Sequence, residues 1–242
     1  MTALEQPMTE KLQKIIAASG LMSRRAAEKF IEEGRVSING RTALIGDRAD
    51  AECDVILVDG KPLPANEQKR YIMLHKPKGY VTTMHDEKGR RCVQQLVSDI
   101  PERLYPVGRL DMNSEGLLIM TNDGELANKL MHPSHEVNKT YHTWVKGEDV
   151  GFAAELLRQS MDIDGYIISP AEVEILELLP GGAKLAVTIH EGRNRQVRKM
   201  CETVGLGVTR LVRVSEGRLQ LGNLPCGKWR ELSREEIDKL LA

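Results

Sequence analysis

The hydrophobic pattern begins with two short runs at helical spacing. Within residues 9–33, apolar residues recur every three or four positions, which predicts two short helices. Thr9 and Ser23 stand where capping residues are expected, and Gly20 and Gly34 stand where the helices would end.

Two strand-like segments with tight turns follow the helices. Residues 35–41 alternate between apolar and polar and turn at Asn39-Gly40. Residues 54–60 end in a second turn of the same type, and both predict short strands.

A polar, proline-containing stretch at residues 64–69 lacks any periodicity and predicts a linker. We therefore expect two domains, one over residues 9–66 and one over residues 71–242. In the second domain strands and helices mix without regular alternation, so we expect an α+β fold with a mixed, mostly antiparallel sheet. The predicted strands are 71–74, 80–83, 117–120, 139–145, 171–178, 184–190, 208–214 and 217–221, and the predicted helices are 125–131, 148–160, 194–204 and a last one capped by Ser233.

Composition narrows the class of protein. The 242 residues are 41% hydrophobic and 29% charged, which is typical of a globular protein with a real core. The net charge of -1 argues against capture of nucleic acid by the whole surface, so any such binding must use local basic patches. The first residues lack the pattern of a signal peptide, and no uncharged stretch approaches the roughly 18 residues of a membrane helix. We expect a cytoplasmic protein.

The four cysteines are widely spaced, with no C-x-x-C pair and no histidine at a metal-ligand interval. They predict isolated reduced thiols and no metal site. The glycine-rich nucleotide fingerprints are also missing.

Basic residues are concentrated in the N-terminal domain, where residues 10–41 hold seven Lys or Arg against four Glu. Charges beside an apolar stripe are commonly a solvated helix face, and that interpretation stands beside an RNA-binding one. Two helices followed by the hairpin of residues 35–41 resemble the alpha-L RNA-binding module, over residues 9–66. The resemblance implies contacts with RNA phosphates rather than bases. The side chains expected to make them are Lys11, Lys14, Arg24, Arg25, Lys29 and Arg41.

A second basic concentration, residues 190–213, holds six Lys or Arg against two Glu. Arg195, Arg198 and Lys199 fall in the first turns of a predicted helix, where cations oppose the helix dipole. A bound anion would relieve this cost, whereas the alternative is a surface cluster paired with Glu191 or solvent.

Asp111 is the candidate reacting group. It precedes the apolar run 117–120, which predicts a short buried strand between two turns. From this pattern alone Asp111 is either a reacting carboxylate or an ordinary turn aspartate that bonds its own backbone.

Three motifs, in this order, resemble those of the RsuA/RluB-type ribosomal pseudouridine synthases, and with the N-terminal module the resemblance covers nearly the whole chain. The region around Arg195 is most similar to the RluB branch, which acts on large-subunit rRNA. The motifs are Gly108-Arg109-Leu110-Asp111 with Glu115-Gly116-Leu117-Leu118, Lys139-Thr140-Tyr141, and Glu191-Gly192-Arg193-Asn194-Arg195-Gln196-Val197-Arg198.

The resemblance implies that the chain isomerises uridine to pseudouridine, without a cofactor or metal. Asp111 would be the essential carboxylate, with Arg198 paired to it, because burial alone favours the uncharged carboxyl. Tyr141 would stack on the uracil or transfer a proton, and Arg109 would fill the space that the flipped uridine leaves. Phosphate contacts are expected from Lys76, Arg193 and Arg195. The partner would be ribosomal RNA or an assembling subunit, and the chain a monomer.

Three alternatives remain open. They are a small-subunit enzyme of the same family, a non-catalytic RNA-binding assembly factor, and a hydrolase that uses Asp111 and a histidine. The assembly factor explains the basic surfaces but leaves Asp111 without a role. The hydrolase lacks a second acid or a nucleophile–base spacing.

Overall fold

The structure is a computed structural model that describes residues 9–64, 68–132 and 137–241. The chain divides into two compact units, Met1–Lys69 and Arg70–Ala242. Residues 65–67 of the predicted linker lie outside the described residues.

The N-terminal unit packs two helices against short strands around one apolar core that includes Leu12, Ile16 and Ile31. Four strands form a sheet in the order β3-β2-β5-β6, and β1 pairs with β4. The elements are β1 (Glu10–Lys11), α1 (Leu12–Ala18), α2 (Arg24–Glu32), β2 (Val36–Ile38), β3 (Arg41–Thr42), β4 (Arg48–Ala49), β5 (Ile56–Val58) and β6 (Lys61–Pro62).

The local predictions for this unit are confirmed except at the first helix. The Ser23 side chain accepts from the Ala26 N–H at 3.1 Å and caps α2. Asn39 has a φ of 50°, as the predicted hairpin turn requires. Thr9 does not cap α1, because the next two residues pair as β1 with β4 and the helix begins only after Lys11.

The second unit is built on a sheet of nine strands with the path β13-β14-β10-β15-β9-β7-β17, to which β8 and β16 add. All pairs are antiparallel except β15 with β9, so the predicted mixed, mostly antiparallel sheet is confirmed. The strands are β7 (Tyr71–Lys76), β8 (Tyr105–Pro106), β9 (Glu115–Thr121), β10 (Lys139–Lys146), β11 (Met161–Ile163), β12 (Tyr166–Ile168), β13 (Glu172–Leu179), β14 (Gly182–Ile189), β15 (Gly207–Glu216), β16 (Leu219–Gln220) and β17 (Trp229–Glu231), and the helices are α3 (Gly124–Met131), α4 (Val150–Leu157), α5 (Gln196–Thr203) and α6 (Arg234–Leu241), with a 3₁₀ turn at Val93–Leu96.

Apolar side chains pack on both faces of this sheet, because successive residues of a strand point to opposite faces. On β9, Leu118 and Met120 join one core with Tyr141 and Leu211. Leu117, with its neighbours on that face, joins the other core. We call the first the Tyr141 face and the second the Leu117 face.

Three predictions of local structure are wrong in detail. Residues 80–83 form no strand and make only an isolated bridge between Val81 and Cys92. Strand β15 runs to Glu216, through the predicted break, because its pairing with β10 continues there. Strands β8, β11, β12 and β17 fall where the sequence pattern predicts no strand. No helix in the described ranges is long and apolar enough to span a membrane.

Candidate active site

Backbone hydrogen bonds hold the segment that carries Asp111. The Gly79 N–H donates to the Met112 carbonyl at 2.7 Å, and the Thr82 hydroxyl donates to the Leu110 carbonyl at 2.6 Å. The Ser114 N–H closes the turn onto the Asp111 carbonyl at 3.0 Å. Asp111 is therefore fixed just before β9, between the sheet and the turn that follows β7.

Gly116 allows the close approach of β9 to β15 beside this segment. Its φ is 113°, and a Cβ built there would lie 2.2 Å from the Arg213 carbonyl oxygen. No side chain fits this crossing, which explains the glycine of the Glu115-Gly116 motif.

Lys76 at the end of β7 is fully buried, with 0% exposure. Its ammonium donates to the carbonyls of Pro77 (3.1 Å), Asp111 (3.0 Å) and Ser114 (2.9 Å). Burial lowers the pKa of Lys76 to about 8, and the negative charges of Asp111 and Glu115 act in the opposite direction. In this structure its donors are used inside the protein, and the contact of Lys76 with a phosphate stays a prediction. Lys76 holds the Asp111 turn and places a positive charge beside it.

Arg198 on α5 is 8% exposed and lies within electrostatic range of Asp111. Its guanidinium donates to the carbonyls of Asn113 (2.8 Å) and Val208 (3.4 Å). The predicted direct ion pair with Asp111 is not formed in this structure. Burial and the charge of Arg195 lower the pKa of Arg198, and Asp111 opposes them. Arg198 thus acts on the Asp111 turn through Asn113 and on the carboxylate through space.

Tyr141 on β10 lies directly opposite Arg213 of β15, at a register irregularity after Thr140. Arg213 is 2% exposed, donates to the Leu117 carbonyl at 2.8 Å and lies 3.2 Å from the Glu216 carboxylate. Burial raises the pKa of the Tyr141 hydroxyl, and the positive charge of Arg213 opposes that rise. A buried cation therefore faces the hydroxyl of Tyr141, and sequence reasoning gave Arg213 no such role.

Asp111 differs from the other carboxylates of this region in its bonding. Glu115 is bound by Arg210 through both oxygens, at 3.1 and 2.9 Å, and Glu216 is paired with Arg213. The Asp111 carboxylate has no ion-pair partner within 4.0 Å among the described residues. Its negative charge nevertheless acts to raise the pKa values of Lys76, Tyr141 and Arg198. Of these three carboxylates, only that of Asp111 is not held by an arginine.

The other predicted contacts of this unit lie on the surface. Arg109 is exposed next to Leu110. Arg193 is exposed, covers the ring of Tyr166 at 3.0 Å and lies 3.4 Å from Glu191. Arg195 is exposed and precedes α5 with a φ of 54° and no side-chain cap on the helix. Their roles toward RNA remain predictions.

In the N-terminal unit the six predicted contact residues differ in how far they are already paired. Lys14 pairs with Glu10, Lys29 lies 3.8 Å from Glu33, and Arg41 lies 2.9 Å from Asp47. Lys11, Arg24 and Arg25 are exposed and have no ion pair among the described residues.

Comparison with known protein families identifies the family of this chain. Residues 70–203 match the model of the RNA pseudouridylate synthases, and residues 10–56 match the S4 domain. The chain belongs to the RNA pseudouridylate synthase family. It is therefore a pseudouridine synthase with an N-terminal S4 domain, and the predicted family and fold are confirmed.

Two relatives and one solved structure match this synthase along almost their whole length. A protein of Aquifex aeolicus called an uncharacterized RNA pseudouridine synthase is 40% identical over 96% of this chain and 94% of its own. Ribosomal large subunit pseudouridine synthase B of Bacillus subtilis is 41% identical over 96% of both chains. A crystal structure of a pseudouridylate synthase covers 95% of this chain and 98% of its own, with 30% identity and a TM-score of 0.67.

Two positioning residues of this synthase were missed from the sequence. Thr82 holds Leu110 from a stretch predicted as an ordinary strand, and Arg213 faces Tyr141 from the middle of a buried strand. The sequence offered one signal for such a residue, the charged Arg213 within an apolar strand. A charged residue there is rarely buried without a partner.

Proposed function

We propose that this pseudouridine synthase isomerises a uridine of large-subunit ribosomal RNA, with Asp111 as its essential carboxylate. The observation that carries the choice of RNA is the full-length match to a large-subunit enzyme at 41% identity. The S4 domain, with its exposed Lys11, Arg24 and Arg25, supplies the phosphate contacts.

Several features of the site support Asp111 as the reacting group. The carboxylate is free of ion pairs among the described residues, whereas Glu115 and Glu216 are each held by an arginine. The buried cations Lys76 and Arg198 place positive charge near this carboxylate, at a place where a bound base would displace water.

Tyr141 supplies the surface for the base. One ring suffices because one uridine is flipped out of the RNA, at a cost of roughly a few kcal/mol. Arg109, exposed and adjacent to the Asp111 turn, fills the gap in the RNA, and Arg193 and Arg195 contact the flanking phosphates.

Tritium release from rRNA labelled at carbon five of uridine tests this function. We expect the wild-type chain to release tritium from large-subunit rRNA and not from small-subunit rRNA. Release from the small-subunit RNA alone would assign the substrate to the other subunit. Binding of rRNA without release from either would favour the non-catalytic assembly factor.

Comparing pseudouridine maps of rRNA from cells with and without this protein would identify the position. A single large-subunit uridine that stays unmodified without the protein is the expected result.

A further inference from the structure

Three side chains with metal-binding donors meet on the Leu117 face of the sheet, where the reaction does not need them. They are His75 of β7, Glu115 at the start of β9 and Cys226 in the loop before β17. One donor atom from each lies within 4.8 Å of the other two. His75 and Lys76 are consecutive in one strand, so His75 points away from the Asp111 turn that Lys76 holds.

The hydrogen bonds of His75 fix which nitrogen is free. Its Nδ1 lies 2.7 Å from the Leu224 carbonyl oxygen, which can only accept, so Nδ1 must carry the proton. In this tautomer Nε2 carries the lone pair. This atom is buried and has no hydrogen-bond partner in the described part of the chain. An imidazole with one nitrogen bonded to a carbonyl and the other open is the usual arrangement of a histidine metal ligand.

The loop that carries Cys226 is held against His75 by the backbone. The His75 N–H donates to the Lys228 carbonyl at 2.9 Å, and the Gly227 N–H donates to the His75 carbonyl at 2.9 Å. These two bonds flank Cys226 on its C-terminal side and keep the thiol near the ring. Glu115 is oriented independently, because Arg210 binds both of its oxygens.

We propose that His75, Glu115 and Cys226 bind one Zn²⁺ ion through Nε2, a carboxylate oxygen and Sγ. Water would complete a four-coordinate site. Sulfur and imidazole donors suit Zn²⁺, whereas Mg²⁺ and Ca²⁺ require oxygen ligands. On binding, the Cys226 thiol gives its proton to solvent as the zinc–sulfur bond forms. This site is separate from the Asp111 turn, and the inference does not depend on the proposed substrate.

The surrounding charges set the character of the site. Arg210 is paired with Glu115, and the charge of Lys76 interacts with both Glu115 and Cys226. Burial and the carboxylate of Glu115 raise the pKa of the Cys226 thiol. Because two cations already face the anionic donors, the thiolate bond must supply much of the affinity. We therefore expect binding to depend most strongly on Cys226.

Cobalt titration of the tag-free, full-length chain tests the site, because Co²⁺ bound to a thiolate absorbs in the near ultraviolet and visible. We expect one Co²⁺ per chain, displaced by one equivalent of Zn²⁺. In Cys226→Ser the thiolate band should vanish and Zn²⁺ should bind at least about tenfold more weakly. His75→Gln should weaken Zn²⁺ binding by a smaller factor, because the thiolate remains.

Cys53→Ser provides the matched control, since Cys53 is also an exposed free cysteine but lies in the other unit. It should bind metal like the wild type. The proposal is overturned if the wild-type chain binds no stoichiometric Co²⁺, or if binding is unchanged in both Cys226→Ser and His75→Gln. Thermal melts in metal-free buffer show that each variant is folded.

Discussion

The two units of this synthase use their cations in opposite ways. In the catalytic unit Lys76, Arg198 and Arg213 are buried and donate to backbone carbonyls. In the S4 domain Arg24 and Arg25 stand exposed at the start of α2, with no ion pair among the described residues.

The difference follows from what each unit must do with a negative charge. A cation on the surface is hydrated and mobile, which suits contact with many phosphates along a backbone. A buried cation is costly, so it persists only where carbonyls or carboxylates compensate it. In return it holds a turn in place and supplies charge at one point. Substitutions in the catalytic unit should therefore reduce tritium release, and substitutions in the S4 domain should reduce the affinity for rRNA.

Asp111→Asn should have the largest effect. Because the amide keeps the shape but removes the charge and the nucleophile or base, we expect tritium release to fall by about three orders of magnitude or more. Filter binding should give an unchanged affinity for rRNA. Substantial release by the variant would remove Asp111 from the mechanism.

Lys76→Met should reduce both rate and stability. The substitution leaves the carbonyls of Pro77, Asp111 and Ser114 without their donor, so we expect a loss of about 2–4 kcal/mol in the free energy of unfolding. The rate should fall by about 100-fold because the Asp111 turn loosens and loses a nearby charge. Urea unfolding and tritium release measure the two effects. Lys78→Met, an exposed lysine of the same loop, is the control, and an equal loss there would contradict a specific role for Lys76.

Tyr141→Phe keeps the ring and removes the hydroxyl that faces Arg213. If the hydroxyl takes part in proton transfer, kcat should fall by about 10- to 100-fold with little change in KM. Single-turnover kinetics provide the test. An unchanged kcat would exclude proton transfer by Tyr141 and leave it only a stacking role.

The pH profile should show the titration of Lys76. Its pKa in the fold, about 8, lies below the usual value of 10.5 for a lysine, so the buried amine loses its charge as the pH rises through 8. We expect the rate to fall by about tenfold between pH 7 and pH 9 as that charge disappears. Stability moves the other way: between the two pKa values the unfolded chain binds more protons, so this group makes unfolding harder as the pH rises. In Lys76→Arg, which stays charged, the fall in rate should disappear. A fall that persists would assign the titration to another group.

Arg24→Ala with Arg25→Ala should have the smallest effect, confined to binding. Losing two phosphate contacts should weaken rRNA binding several-fold at moderate salt and lower the slope of log affinity against log salt by about one to two. Arg35→Gln is the control, because Arg35 already pairs with Asp59 (2.6 Å) and Glu33 (3.1 Å), an arrangement that raises its pKa. Equal loss of slope in both variants would contradict the distinction between free and paired cations. Release of tritium at saturating RNA should be unchanged.

Features set by neighbouring residues could be predicted from the sequence. The turn at Asn39-Gly40 needs only two residues that tolerate positive φ, and the caps at Ser23 and Ser233 need only a hydroxyl before a helix. The prediction of a strand at residues 80–83 is wrong because contacts with distant residues decide the structure there. The β-branched residues of this stretch favour a strand, but the fold uses Thr82 to hold Leu110, and no neighbouring strand pairs along it.

The sequence by itself determined most of the local elements, the family and the prominence of Asp111. Only the tertiary structure decided which charges are buried. Lys76 reads as a loop cation in the chain, but the pairing of β7 with β9 brings its ammonium under the Asp111 turn. The same pairing places His75 on the other face beside Glu115, where the returning loop adds Cys226. Donors far apart in the chain converge only when the sheet sets their register, and for that reason cysteine spacing alone predicted no metal site.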